Sequence, residues 1–370
     1  MLLTIIIFLV LLSVLVLVHE WGHFVTARLF GCNVEEFGLG FPPRAKKWVS
    51  QKTGINYSLN WLPIGGFVKI KGEDGGHKTD PDSFSAKPAW QRVIILSAGV
   101  AMNMLLAALL FTVGFISGLP TDVSAVADHQ RAIIRDVEVQ ILEVLPDSPA
   151  QTAGLTAGDV ITAIDSQSID EVDDVSALVS QRDGQSTTMT ITRDNQPLAL
   201  TVTPAFHEAV GGVGIGVGLA ATGIVSYPWY EAPLRGVQAT GELTSMIIMA
   251  FADLIGRLVT GSEVSADITG PVGIAVLTGR FARLGLIYLL QFAALLSINL
   301  AIINFLPFPA LDGGRVLFVA IEKIIRRPVN QRLESIVHNI GFALLLVLIF
   351  FVTYRDIAHF GGGLWQKIVG

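Results

Sequence analysis

Four stretches of the chain stay apolar for long enough to cross a bilayer, which takes about 20 helical residues. In Leu2–Val18 only Thr4 and Ser13 are polar, and Val93–Leu119, Leu286–Phe308 and Asn339–Tyr354 follow. They predict transmembrane helices within 1–30, 93–119, 286–308 and 338–356. A fifth stretch, Gly236–Thr260, is apolar but carries Glu242, Asp253 and Arg257. That mixture suits an amphipathic helix lying along the membrane surface. The period changes between the second and third spans. Val137–Val144 alternates as a strand does, Ser148-Pro149-Ala150 opens a short helix, and Gly158-Asp159-Val160-Ile161 leads into a strand ending at Ile164. Asp173–Gln181 has a helical period, and Thr187–Arg193 with Leu198–Val202 predicts a hairpin around Asp194-Asn195. The pattern predicts a compact β-rich domain over 134–205. A linker (120–133) precedes it, and a segment with the surface helix (206–285) follows. Within the loop 31–92, Gly54–Asn60 and Gly66–Lys71 predict two short strands joined by Trp61-Leu62-Pro63-Ile64-Gly65. A second short loop (309–337) and a tail (357–370) complete the division.

Charge orients these spans. Residues 28–92 contain ten Lys/Arg and residues 307–337 contain five, whereas 120–285 contains eight Arg, no Lys and twenty Asp/Glu. The positive-inside rule puts the two short basic loops in the cytoplasm and the acidic middle, with both termini, outside. Charged residues are 15% of the chain and hydrophobic ones 51%; a soluble domain carries about 25% charged residues. A net charge of −6 gives no footing for nucleic acid. The single cysteine, Cys32, excludes an intrachain disulfide and any Cys-rich zinc site. Read as a signal peptide, Leu2–Val18 lacks a preceding basic residue, and His19-Glu20-Trp21-Gly22-His23 stands where a small-residue cleavage site would be.

Those five residues carry candidate chemistry. On a helix His19 and His23 share a face, so their imidazoles can converge on one Zn²⁺ with Glu20 beside them as general base. Ionisable groups at membrane depth are costly and default to a functional reading. Zinc needs a third protein ligand and an open fourth position. Asn304-Phe305-Leu306-Pro307-Phe308-Pro309-Ala310-Leu311-Asp312-Gly313-Gly314 offers Asp312: the prolines end the third span and the glycines permit a tight turn. Taken alone, Asp312 reads rather as the N-cap of the following helix.

The H-E-x-x-H at the end of the first span, the insert and the N-x-x-P-x-P-x-L-D-G-G segment together resemble the bacterial site-2 protease family, of the RseP type. Pro88-Ala89-Trp90-Gln91-Arg92 and Gly270-Pro271-Val272-Gly273-Ile274-Ala275 are further matches. Ala153-Gly154-Leu155-Thr156-Ala157-Gly158-Asp159-Val160-Ile161 makes the insert resemble a bacterial PDZ domain. The resemblance implies a polytopic α-helical membrane protein with four transmembrane helices, a membrane-associated β-hairpin and an inserted PDZ domain. It implies Zn²⁺ held by His19, His23 and Asp312, with Glu20 as the catalytic base. It implies substrate contacts from Asn304, Asn299, Gly65 and Gly66. The expected substrates are single-pass membrane proteins in the bilayer, of the anti-sigma-factor or remnant-signal-peptide type, and the expected location is the bacterial inner membrane with the PDZ domain outside. The PDZ domain reads equally as a peptide-binding module and as a spacer. Two rival functions share the motifs: a membrane-anchored zincin cutting soluble peptides, and a scaffold without catalysis.

Overall fold

The computed structural model describes residues 2–126, 131–193, 196–207, 212–261, 270–327 and 329–369. The turn expected at Asp194-Asn195, and parts of the segment 206–285, lie outside these. The chain divides into two units, residues 113–232 and the rest. In chain order the elements begin with α1 (Leu2–Leu29), β1 (Val34–Val49), β2 (Asn56–Ile70) and α2 (Ala89–Ser117). The insert contributes β3 (Leu119–Asp122), β4 (Ile133–Val144), α3 (Pro149–Thr152), β5 (Val160–Ile164), β6 (Gln167–Ser168), α4 (Val172–Ser180), β7 (Thr187–Arg193), β8 (Gln196–Val202), β9 (Ala205–His207), β10 (Gly212–Gly214) and β11 (Val217–Ser226). Then come α5 (Ala232–Thr260), α6 (Pro271–Leu284), α7 (Leu286–Phe305), α8 (Asp312–Ile325) and α9 (Gln331–Val369).

Among the described residues five helices are long and apolar enough to cross a membrane: α1, α2, α5, α7 and α9. The chain is therefore a multi-pass membrane protein. Leu11 and Leu15 of α1 pack with Ala293 of α7, and Leu106, Leu110, Leu296 and Leu300 close around them. Contacts of α1 move backward along α2 as the chain advances: Leu11 and Leu15 lie by Leu106 and Leu110, and His23 lies by Ile95. Against the α6–α7 side they move forward, from Thr4 beside Gly279 to His19 beside Asn304. Thus α1 runs antiparallel to α2 and parallel to α7. Helix α9 returns alongside, with Gly341 against Pro309 and buried Asp356 accepting the N–H groups of Gly270 and Gly273 at 3.1 and 2.8 Å. That carboxylate caps the start of α6 from another helix, which gives Gly270-Pro271-Val272-Gly273 a structural role.

Two sequence expectations change here. Gly54–Asn60 and Gly66–Lys71 do not pair with each other as a hairpin. Residues 37–39 of β1 lie between them, with Gly38 opposite both Ser58 and Phe67. Local sequence shows the two arms but not the third segment that takes their hydrogen bonds. Helix α5 also departs from a flat surface helix. A Cβ at Gly236 would lie 2.5 Å from Ala108 O, and Thr244 reaches Met104, so its first turns descend antiparallel along α2. Small residues at this contact let the backbones approach.

The insert is a separate antiparallel sheet in the order β3-β11-β4-β5-β7-β8, with β6 on β5. Its core joins Val139, Ile141, Ile161, Ile164, Val175, Val179, Met189 and Ile191. These are the inward positions of alternating strands and the apolar face of α4. Ser148 caps α3, accepting from Gln151 N at 3.1 Å, with Pro149 in the first turn. Asp159, 1% exposed, is clasped by Arg193 through two bonds of 2.7 Å and by Thr156 N at 2.8 Å. Burial alone raises its carboxyl, but Arg193 and Thr156 outweigh burial and hold it below the usual Asp range. A depressed folded-state pKa gives stability that is complete above the unfolded value of about 4 and is lost as pH falls through the folded one. Thermal unfolding followed from pH 7 to pH 3 should therefore show the insert weakening below about pH 4. Asp159→Asn should remove much of that acid dependence. It should also cost about 3 kcal/mol at neutral pH, because Arg193 loses its charged partner.

Candidate metal centre

The centre forms where α1 and α2 cross. His19 and His23, 5% and 6% exposed, lie one turn apart on the face of α1 turned to α2. A Cβ at Gly22 would fall 2.4 Å from Ala98 O, so only glycine lets the helices meet this closely. On the opposing helix a Cβ at Gly99 would fall 2.4 Å from His23 Nε2 and 2.7 Å from His19 Nε2. Gly99 therefore leaves the space that the two imidazoles share.

Asp312 arrives from the other end of the sequence. It opens α8, whose N-cap is Leu311 without a side-chain cap bond, so the reading of Asp312 as a capping residue is replaced. Gly313 and Gly314 belong to the first helical turn. They are small because a Cβ would strike Phe305 O and Leu306 O at 2.2 and 2.3 Å, or Phe308 O at 2.2 Å. The positive φ of the turn falls instead on Ala310, at 78°. Asp312 Oδ2 lies 3.0 Å from His19 Nε2 and 3.3 Å from His23 Nε2, and the two Nε2 atoms are 3.2 Å apart. Among the described residues these three side chains form the one such metal-ligating group.

The triangle fits zinc. Tetrahedral bonds of about 2.0–2.1 Å set neighbouring donor atoms roughly 3.3 Å apart, close to the three distances found. The outer nitrogens fit as well. His23 Nδ1 donates to Ile95 O at 2.8 Å, which leaves Nε2 free to ligate. His19 Nδ1 faces the amide of Asn103 at 3.4 Å. Asn103 is fully buried, and its Oδ1 has no partner among the described residues. A metal on His19 Nε2 would put the ring proton on Nδ1, and a half-turn of the amide then gives Oδ1 that proton. Asn103 reads from sequence as a structural polar residue in a span; its site role shows only in three dimensions. Ser297 Oγ fixes it by donating to Asn103 O at 2.8 Å.

A cavity of about 340 Å³ opens beside the triad, and His19, Glu20, Gly65, Gly66, Asn304 and Asp312 line it. Glu20 accepts from Val68 N of β2 at 2.9 Å. Asn304 Nδ2 is 3.5 Å from His19 Nε2. Six of the expected site positions in addition to His23 thus share one place, whereas Asn299 donates to Leu295 O within its own helix at 3.0 Å and does not line the cavity. Arg315 and Glu73 pair between α8 and the segment after β2.

Comparison with known proteins agrees over nearly the whole chain. Residues 7–348 match peptidase family M50. The zinc metalloprotease RasP of Oceanobacillus iheyensis is 30% identical over 440 residues, covering 96% of this chain and 98% of that protein. A provisionally named zinc metalloprotease of Clostridium perfringens is 37% identical over 350 residues, covering 93% and 96%. Among solved structures, the PDZ domain of an SdrC-like protein from Listeria innocua is 28% identical. It covers 22% of this chain and 92% of its own, with a TM-score of 0.20. The chain belongs to peptidase family M50, the site-2 proteases, and is a multi-pass membrane peptidase.

Proposed function

We propose that this protein is an intramembrane zinc endopeptidase that cuts single-pass membrane proteins within or at the edge of their transmembrane segments. His19, His23 and Asp312 hold the zinc, and Glu20 is the general base. The observation that carries this reading is the buried triad with 3.0–3.3 Å edges, framed by helices apolar enough to span a membrane. When bound, zinc supplies Lewis acidity, which makes a water acidic and polarises a carbonyl.

The chain's own residues do the rest. Glu20 Oε2 is engaged by Val68 N–H, and the carboxylate lines the cavity, where it can take the proton of the attacking water and pass it to the leaving amine. Asn304 lines the same cavity and can donate its amide to the substrate carbonyl. A helical substrate hides its peptide groups in its own hydrogen bonds and must be unwound to be cut. Exposed peptide groups in lipid cost several kcal/mol each. The outer side of β2 at Gly66–Val68, next to Glu20, offers strand pairing in exchange, with Gly65 and Gly66 keeping the approach open.

The parallel course of α1 and α7 supports four spans rather than five. With α2 alone crossing between them, both run the same way and bring His23 and Asp312 to one end. If α5 also crossed, α7 would run opposite to α1. With the basic loops in the cytoplasm, the insert lies outside the inner membrane as a PDZ domain that receives a peptide or limits access. Substrates of the anti-sigma-factor or remnant-signal-peptide type fit this placement. Zinc content of the purified protein tests the ligand set. Wild type should hold about one zinc per chain, and Asp312→Asn should lose roughly ten- to a hundredfold in affinity or more. Equal zinc in both would remove Asp312 from the site.

A further inference from the structure

We propose that His338, with Gly341 one turn further along α9, is a positioning residue that holds the loop carrying Asp312. The inference rests on the reading of Asp312 as a zinc ligand. The loop Leu306–Leu311 joins α7 to α8, and Ala310 within it has φ of 78°. A residue with a Cβ is disfavoured there and stays only where its surroundings fix it from several sides. Two contacts from α9 do so. Ala310 N donates to His338 Nδ1 at 2.8 Å. Beside it, a Cβ at Gly341 would lie 2.5 Å from Pro309 Cβ and 2.6 Å from Pro309 O, so α9 lies directly against the loop. Residues three apart share a helix face, and this face grips Pro309 and Ala310, three and two residues before Asp312.

The imidazole is held in its turn. It packs on Phe318 of α8 with ring centres 5.3 Å apart. Because an N–H points at Nδ1, that nitrogen must offer its lone pair, so the proton sits on Nε2 and the ring is neutral. Helix α9 supplies none of the triad ligands, yet through His338 and Gly341 it sets where Asp312 Oδ2 stands relative to His19 and His23. A displacement of α9 would be felt first as a poorer metal site.

Two substitutions separate hydrogen bonding from packing. His338→Asn places an amide oxygen near the position of Nδ1 and gives up the ring. His338→Phe keeps a ring on Phe318 and gives up the acceptor. The full-length protein in detergent is titrated with Zn²⁺ against a chromophoric chelator, and the Co²⁺-substituted protein is read by its visible spectrum. His338→Phe should weaken zinc about tenfold or more and shift the cobalt bands. His338→Asn should stay within about threefold of wild type. Gly341→Ala, which presses on Pro309, should weaken zinc in the same direction and serves if His338→Phe does not fold. Wild-type affinity in folded His338→Phe or Gly341→Ala overturns the proposal. So does equal weakening by His338→Asn and His338→Phe, which would make the ring a packing element only. Asp312→Asn is carried alongside. If it binds zinc like wild type, the ligand reading itself has failed. If it loses zinc while His338→Phe does not, only the role of His338 falls.

Discussion

Gly99→Ala is expected to abolish zinc binding while leaving the protein folded. The added methyl would stand 2.4 Å from His23 Nε2 and 2.7 Å from His19 Nε2, atoms that must face a metal rather than carbon. Neither imidazole can yield easily, because His23 Nδ1 is held by Ile95 O and His19 Nδ1 faces the buried Asn103 amide. Alanine favours a helix over glycine by roughly 1 kcal/mol, so α2 is not weakened from within. The whole cost falls on the two histidines. Metal analysis should show zinc near zero, with a thermal midpoint close to wild type. Gly256→Ala is the control: it is a helical glycine in α5 whose Cβ would meet nothing within 4 Å, and it should keep full zinc. Stoichiometric zinc in the Gly99→Ala protein would show that the metal sits elsewhere.

Glu20→Gln should separate the metal from the chemistry. Gln is isosteric, and its side-chain oxygen can still accept from Val68 N–H, so β2 keeps its position beside α1. What disappears is a group able to take a proton from water. General-base catalysis contributes about 10²–10⁴-fold, so turnover should fall by at least that much while zinc content is unchanged. Retained cleavage would mean that another group acts as the base. Loss of zinc together with activity would mean that Glu20 supports the metal site instead.

The parts legible in sequence are those whose signal is local. Long apolar runs give the spans, and the four-residue separation of His19 and His23 gives a shared helix face. The alternation of Val137–Val144 and of Thr187–Arg193 gives strands in the insert. Strand β1 is hidden because Gly38, Gly40, Pro42 and Pro43 interrupt any alternation, and Arg44, Lys46 and Lys47 make its second half polar. Its pairing with both arms of β2 is a long-range fact. At the site, Asp312 could be nominated but not separated from a cap, because its distance to the histidines is closed only by the packing of α7 against α1. Gly313 and Gly314 signal a special backbone, yet sequence cannot tell a positive φ from a close approach. The strained residue proved to be Ala310, which carries no signal at all. Asn103 and His338 carry no local signal of a site, because the groups they meet come from other elements of the chain.

The central claim is that the peptide bond is cut within the bilayer. The most direct test incubates the purified protein with a single-pass model substrate and maps the cut by mass spectrometry, with Glu20→Gln and a zinc chelator as controls. The account predicts a chelator-sensitive cut, dependent on Glu20, within or at the edge of the substrate's transmembrane segment. Cuts confined to water-exposed loops would contradict it and make this protein a membrane-anchored peptidase of soluble segments.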